Sequence, residues 1–212
     1  QKRFDAVVTP HLYPAETLTA MKKKGWLKIP VVAIGTDYTC IPFWEETDCE
    51  YYVIPHEDLI EEFVKRGIPR EKLLPWGIPV RQSFMKLWNK KEARKICHIP
   101  QNNKSYLVMG GSMGFGKIQI FVLELARRME ADENMVVICG NNKKLEKLLK
   151  RELVHRKNVK VLGYTDQVAA YMAACDVIFT KPGGLSSTEA AMMRIPKVHT
   201  NPIPGCETKN VE

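Results

Sequence analysis

From Ser105 to Thr200 the chain alternates short, β-rich apolar runs with helical stretches of about ten residues, and nothing else in the sequence restricts the fold as much. The runs are SYLVMG (105–110), NMVVICG (134–140), NVKVLG (158–163), DVIFT (176–180) and PKVHT (196–200); helical patterning fills Lys117–Glu130, Lys144–Leu153, Gln167–Cys175 and Ser187–Met193. Continuous apolar strands separated by helices imply βαβ units and a parallel sheet covered on both faces. The earlier part repeats the theme with DAVVT (5–9), Ala15–Lys24, PVVAIGT (30–36), EYYVI (50–54) and Glu57–Lys65. Between the two lies a polar stretch rich in Lys and Arg with one helical piece near Lys91–Cys97. The expected organisation is an α/β unit over 1–84, an interdomain linker over 85–104 and a second, Rossmann-like unit over 105–212, both units incomplete at the ends of the chain.

Composition narrows the partners. The net charge of +8 over 212 residues favours anions: a nucleotide, a nucleic acid or an anionic lipid surface. The basic run over 143–156 reads as the solvated face of a surface helix rather than a nucleic-acid patch. No apolar run approaches the roughly 20 residues that span a bilayer. The six cysteines, Cys40, Cys49, Cys97, Cys139, Cys175 and Cys206, contain no C-x-x-C and read as reduced thiols. There is no D-x-D pair and no metal-ligand spacing, so neither metal nor cofactor is expected.

Two glycine-rich turns follow strands directly. GGSMGFG (110–116) stands between SYLVM and the helix that Lys117 opens, where backbone N–H groups can approach a phosphate closely. It comes near a P-loop through Gly111, Gly116 and Lys117, but Ile118 occupies the position that needs Ser or Thr for magnesium. The second turn, TKPGGLSSTEAA (180–191), places Glu189 early in a helix. That carboxylate suits the two hydroxyls of a ribose, or a capping box closed on Ser186. In NPIPGCETKNVE (201–212), Glu207 and Asn210 fall three apart and share a face if a helix begins there.

In combination, GGSMGFG, ICGNNKKL (138–145), LGYTDQVAAYMAACDVIFTKPGGLSSTEAA (162–191) and PIPGCETKNVE (202–212) resemble the nucleotide half of glycosyltransferase family 28. The likeness points to the monogalactosyldiacylglycerol synthases of plastids and the processive diacylglycerol glucosyltransferases of Gram-positive bacteria. GTDYTCIPFW (35–44) and EYYVIPHEDLIEEFVKRGIPREKLLPWGIPVRQSF (50–84) resemble the end of that family's acceptor domain and its crossover. The resemblance implies a GT-B fold and inverting, metal-independent transfer of a hexose from a UDP-sugar to diacylglycerol or a glycolipid. It also implies a cytoplasmic enzyme, peripheral on the inner face of the cell membrane. Lys22, Lys23, Lys24 and Lys28 are candidates to meet anionic lipid; nucleic acid is not an expected partner.

The same resemblance assigns the diphosphate to Gly110, Gly111, Ser112, Met113 and Gly114, the uracil to Gly163 and Tyr164, and phosphate and ribose to Gly183, Gly184, Leu185 and Ser187. It gives the ribose hydroxyls to Glu189, and the sugar and its phosphate to Glu207 and Asn210. Cys206 stands where the family usually has Gln. The family's glycine-rich opening segment with its base histidine falls before Gln1, so no catalytic residue is assigned. On the acceptor side, His11, Asp37 and Trp44 are the candidates, against ordinary roles as loop, turn or N-cap, and core residues. Related readings are a lipid-linked muramyl peptide N-acetylglucosaminyltransferase and a UDP-N-acetylglucosamine epimerase. A noncatalytic nucleotide-binding module is the reading of another class.

Overall fold

The computed structural model describes residues 4–110, 118–200 and 207–211. The chain divides into two compact units, Gln1–Pro79 with Pro204–Asn210, and Val80–Ile203.

The first unit is a four-stranded parallel sheet in the order β1-β2-β3-β4, built from β1 (Val7–Thr9), β2 (Val31–Ile34), β3 (Tyr51–Val53) and β4 (Leu73–Leu74). Helices α1 (Leu12–Lys23) and α2 (Ile60–Lys65) connect them, the latter continuing a 3-10 turn over Glu57–Leu59. β-Branched residues dominate β2, as a strand buried on both faces requires. The core gathers Leu12, Ala15, Val31, Ala33, Trp44, Tyr52, Ile54 and Phe63. Both helices end in a Schellman turn. Gly25 and Gly67 take the left-handed conformation, at φ +73° and +95°, that an L side chain adopts only under strain.

The second unit begins with α3 (Gln82–Met85) and α4 (Lys90–Cys97) and then forms β5 (Lys104–Met109), α5 (Ile118–Arg128), β6 (Glu133–Ile138), α6 (Lys143–Glu152), β7 (Val159–Leu162), α7 (Val168–Ala174), β8 (Val177–Thr180), α8 (Gly184–Met192) and β9 (Lys197–His199). Its five strands are all parallel, in the order β7-β6-β5-β8-β9. One face is packed by Leu107, Ile138, Ile178, Met172 and Ala190, the other by Val108, Val122, Val137 and Leu149.

The stretch expected as a linker over 85–104 is built into this unit. Ala93, Cys97 and Ile99 belong to its core, and Arg94, only 5% exposed, reaches the start of β8. There Arg94 donates from Nε to Ala174 O (3.0 Å) and from Nη2 to Asp176 Oδ2 (2.9 Å). The polar composition of 85–104 hid this, because the helix buries a narrow apolar stripe and one partnered guanidinium.

Cys40, Cys49, Cys97, Cys139 and Cys175 are buried free thiols. Burial pushes them up, to about 12 for Cys40 and Cys175 and about 11 for Cys97 and Cys139.

Candidate functional site

In the second sheet β5 is central, and its two neighbours are reached by connections running in opposite directions. Met109 pairs with Thr180 at the last register position of β5 and β8. The two glycine-rich turns therefore leave adjacent strands at the topological switch point, where open α/β sheets bind ligands beyond the carboxyl ends of their strands. Gly110 is buried at the first turn; Gly111, Ser112, Met113 and Gly114 lie outside the described residues.

At the second turn Gly183 is the N-cap of α8 and Gly184 its first residue. Gly183, as N-cap, has no side chain with which to cap it. Its first-turn N–H groups have no partner within the helix and carry the positive end of the helix dipole. Because α8 starts at Gly184, Ser186 stands inside the helix and cannot be its N-cap; the capping-box reading of Glu189 fails. Leu185 is exposed.

A pocket of about 180 Å³ opens at the carboxyl ends of β5, β6 and β7. It is walled by Met109, Ile138, Gly140, Asn141, Tyr164 and Val168, with Thr165, Ser186 and Arg81 at its polar margin. Pockets for whole ligands run about 300–1,000 Å³, so this one fits a fragment the size of a planar base. Tyr164 is exposed beside it. Gly163 precedes it where an added Cβ would come within 2.6 Å of Glu146 Oε2.

Successive helical residues are rotated by about 100°, and this separates two serines of α8. Ser186 faces the pocket. Ser187, expected to line the ligand, is buried with Oγ 3.2 Å from His199 Nε2 and ties α8 to β9. Burial, then the charge of Lys197, lowers the His199 pKa.

Glu189 lies three residues beyond Ser186, with a side chain 15% exposed. Its one ionic partner among the described residues is Arg81, at 3.8 Å. Burial raises the carboxyl above its ordinary value and Arg81 offsets only part of that. Arg81 also stacks over the Phe84 ring at 5.2 Å. Sequence reasoning passed over Arg81, because no local pattern marks an arginine whose partner is a distant helix.

The remaining candidates belong to the first unit. Thr208–Asn210 forms a 3-10 turn, Glu207 is buried, and Asn210 Oδ1 accepts from Tyr38 N at 2.8 Å. Asn210 Nδ2 stands 3.4 Å from Asp37 Oδ1. Glu207 and Asn210 thus pack with the turn after β2, although the sequence reading assigned 105–212 to a single unit. His11 is the N-cap of α1, its Nδ1 accepting from Tyr13 N at 3.3 Å. Trp44, a candidate on the acceptor side, is a core residue, the ordinary role weighed against it. Phe43 takes φ 78°, which turns its own ring outward and sends Trp44, 4% exposed, edge-on against Tyr52 in the core.

The chain matches known protein families over most of its length. The family described as glycosyl transferases group 1 matches residues 89–209, more than half of the chain. The chain belongs to the glycosyltransferases. Residues 1–80 of this glycosyltransferase match the family of monogalactosyldiacylglycerol (MGDG) synthase, in keeping with the family 28 resemblance. It is 29% identical over 204 residues to the processive diacylglycerol beta-glucosyltransferase of Staphylococcus carnosus, covering 93% of this chain and 51% of that one. The chain thus spans about half the length of the curated relatives it matches.

Among solved structures it resembles UDP-GlcNAc 2-epimerase from Neisseria meningitidis bound to UDP-GlcNAc (TM-score 0.67, 19% identity, 98% of this chain and 66% of that one). It also resembles HepE of Anabaena in complex with UDP and glucose (TM-score 0.63, 15% identity, 94% and 60%). The fold is GT-B, with two Rossmann-like units. No described helix is long and apolar enough to cross a membrane.

Proposed function

We propose that the second unit binds the nucleotide of a UDP-sugar, and that the whole protein transfers the hexose, with inversion and without metal, to diacylglycerol or a glycolipid. The observation that carries this reading is Glu189: a half-buried carboxylate with a raised pKa, held at the switch point beside a base-sized pocket and faced by one distant arginine. An ionised group desolvated without full pairing is costly, and it is accounted for if ribose hydroxyls complete its hydrogen bonds.

In this reading the pocket takes the uracil, with Tyr164 and the backbone at Gly163 along its edge. The diphosphate lies over Gly110–Gly114 and the N-terminus formed by Gly183, Gly184 and Leu185. Amides and helix dipoles there stabilise the charge of the departing UDP. Ser186 takes the place expected of Ser187, and Arg81 adds positive charge and orients Glu189. Glu207 and Asn210 remain the candidates for the sugar, and His11 and Asp37 those for the acceptor. The reading includes a peripheral position at the inner face of the cell membrane, on anionic lipid. The name of the Staphylococcus carnosus relative, a diacylglycerol glucosyltransferase, supports this acceptor class.

Titration calorimetry of the chain with UDP and with ADP tests the donor half. UDP is expected to bind at least tenfold more tightly; equal affinities, or no binding by the folded chain, would overturn it.

A further inference from the structure

Four of the described helices end in the same Schellman turn, and one of the four breaks the pattern of the others. In this motif the residue after the left-handed position donates to the carbonyl of the last full turn, and its side chain ordinarily packs back on the helix. At α2, α4 and α8 that residue is Ile68, Ile99 and Ile195, bonded through N to Phe63, Arg94 and Ala190, and all three side chains are buried. At α1 it is Trp26, bonded to Met21 O at 2.9 Å while Gly25 N bonds Lys22 O at 2.8 Å. The backbone is as firmly fixed as at the other three, yet the Trp26 side chain is 70% exposed. A large apolar ring is held in solvent by a rigid turn.

Its surroundings are cationic. Lys24 Nζ lies 4.7 Å from the centroid of the indole. Lys23, Lys24 and Lys28 are exposed and join no ion pair among the described residues, whereas Lys22 is taken by Glu50. Val7 N donates to Pro30 O, so Phe4, three residues before β1 and also exposed, stands at the same amino-terminal edge of the sheet.

We infer that the α1–β2 turn, Lys23–Lys28 with Trp26 at its tip, docks this protein on an anionic lipid bilayer. An indole with an apolar body and one N–H suits the boundary between headgroups and acyl chains. Lysines on either side reach lipid phosphates while their stems lie along the ring. The charge complementarity selects an anionic surface over a neutral one. The inference rests on the lipid-acceptor reading above and names the surface that reading leaves unassigned.

Sedimentation of the chain with phosphatidylglycerol–phosphatidylcholine vesicles, and with pure phosphatidylcholine vesicles, provides the test. Trp26→Ser should weaken binding to the mixed vesicles at least fivefold. Replacing Lys23, Lys24 and Lys28 together by Gln should weaken it roughly a hundredfold, at about fivefold per lysine, and remove the preference for the anionic lipid. Both changes are at exposed positions and should leave the thermal melt unchanged. Trp76→Ser, at a second exposed tryptophan of the same unit, should have no effect.

Unchanged binding in both variants, equal binding to pure phosphatidylcholine, or an equal loss with Trp76→Ser would each overturn the proposal. So would a dimer, seen by ultracentrifugation, that Trp26→Ser dissociates in place of any vesicle binding. UDP calorimetry on the same samples separates the two ideas. UDP binding without vesicle binding removes this surface alone, and vesicle binding without UDP binding removes the donor reading alone.

Discussion

Asp176 and Glu189 flank the same strand and have opposite environments. Asp176 stands immediately before β8, at the amino edge of the sheet; Glu189 stands in the helix that follows β8, at the carboxyl edge. Burial alone would raise the Asp176 carboxyl, but the bond from Lys90, the amide of Ser105 and the charges of Lys90 and Arg94 outweigh it and leave the group lowered. Glu189 is more deeply buried than Asp176, has Arg81 alone to offset that burial, and is left raised. The first carboxylate is saturated by the protein and fastens α4 to the sheet. The second has Arg81 as its one ionic partner among the described residues, in keeping with the ribose contact proposed above.

The largest expected effect is on the saturated side. Asp176→Ala leaves the buried Arg94 guanidinium with backbone carbonyls but no carboxylate and should lower stability by about 3 kcal/mol, read from urea unfolding, while the folded variant binds UDP within about twofold of the parent. If it lost UDP affinity and kept its stability, the division of labour between the two carboxylates would be wrong. Next comes Glu189→Ala, which should weaken UDP binding by about 1–3 kcal/mol in calorimetry, by removing charge-assisted bonds to the ribose. Unchanged affinity with lower stability would make Glu189 a second structural carboxylate.

The pH dependence sharpens the contrast because the two signs differ. Asp176, lowered in the folded state, contributes stability that is present above its unfolded value and is lost as pH falls through its folded value. Glu189, raised in the folded state, does the reverse: stability rises as pH falls through its folded value toward the ordinary carboxylate range. Urea midpoints should show Glu189→Gln more stable than the parent at pH 7, the gap closing as pH falls to about 4, near the ordinary glutamate value. Asp176→Asn should lie below the parent at neutral pH and approach it only in stronger acid.

The smallest effect is expected at Gly163→Ala. The three atoms nearest the new Cβ are all at the far end of the Glu146 side chain, which can swing away with loss of its bond to Lys150. An exposed i,i+4 pair of this kind contributes about 0.3–0.5 kcal/mol, so the melting temperature should move by little. A large loss of UDP affinity would show that a side chain there obstructs the base.

The sequence made most of the framework legible, since long apolar strands and helices with a regular period carry their own signal. β5 and β8 fall within a residue of SYLVMG and DVIFT. β4 and α3, of two and four residues, are too short to show a period. The start of α8 was read three residues late, because two glycines resemble a turn even where they open a helix. Within the site, the glycine turns and Glu189 were visible as patterns next to strands. Which serine faces the pocket was not, since that depends on helix phase. Nor was Arg81, whose meaning lies in a contact with a remote helix. Glu207 and Asn210 were found as a pair, but their packing on Tyr38 follows from chain path rather than composition.

The buried cysteines give the molecule a set of internal clocks. Each thiol is shielded by packing and holds its proton far above neutral pH, so a thiol reagent can react only when the surrounding core opens. Cys40 and Cys49 time such openings in the first unit, and Cys97, Cys139 and Cys175 in the second. Labelling rates read residue by residue therefore measure how independently the two units breathe, and whether UDP slows the second without touching the first.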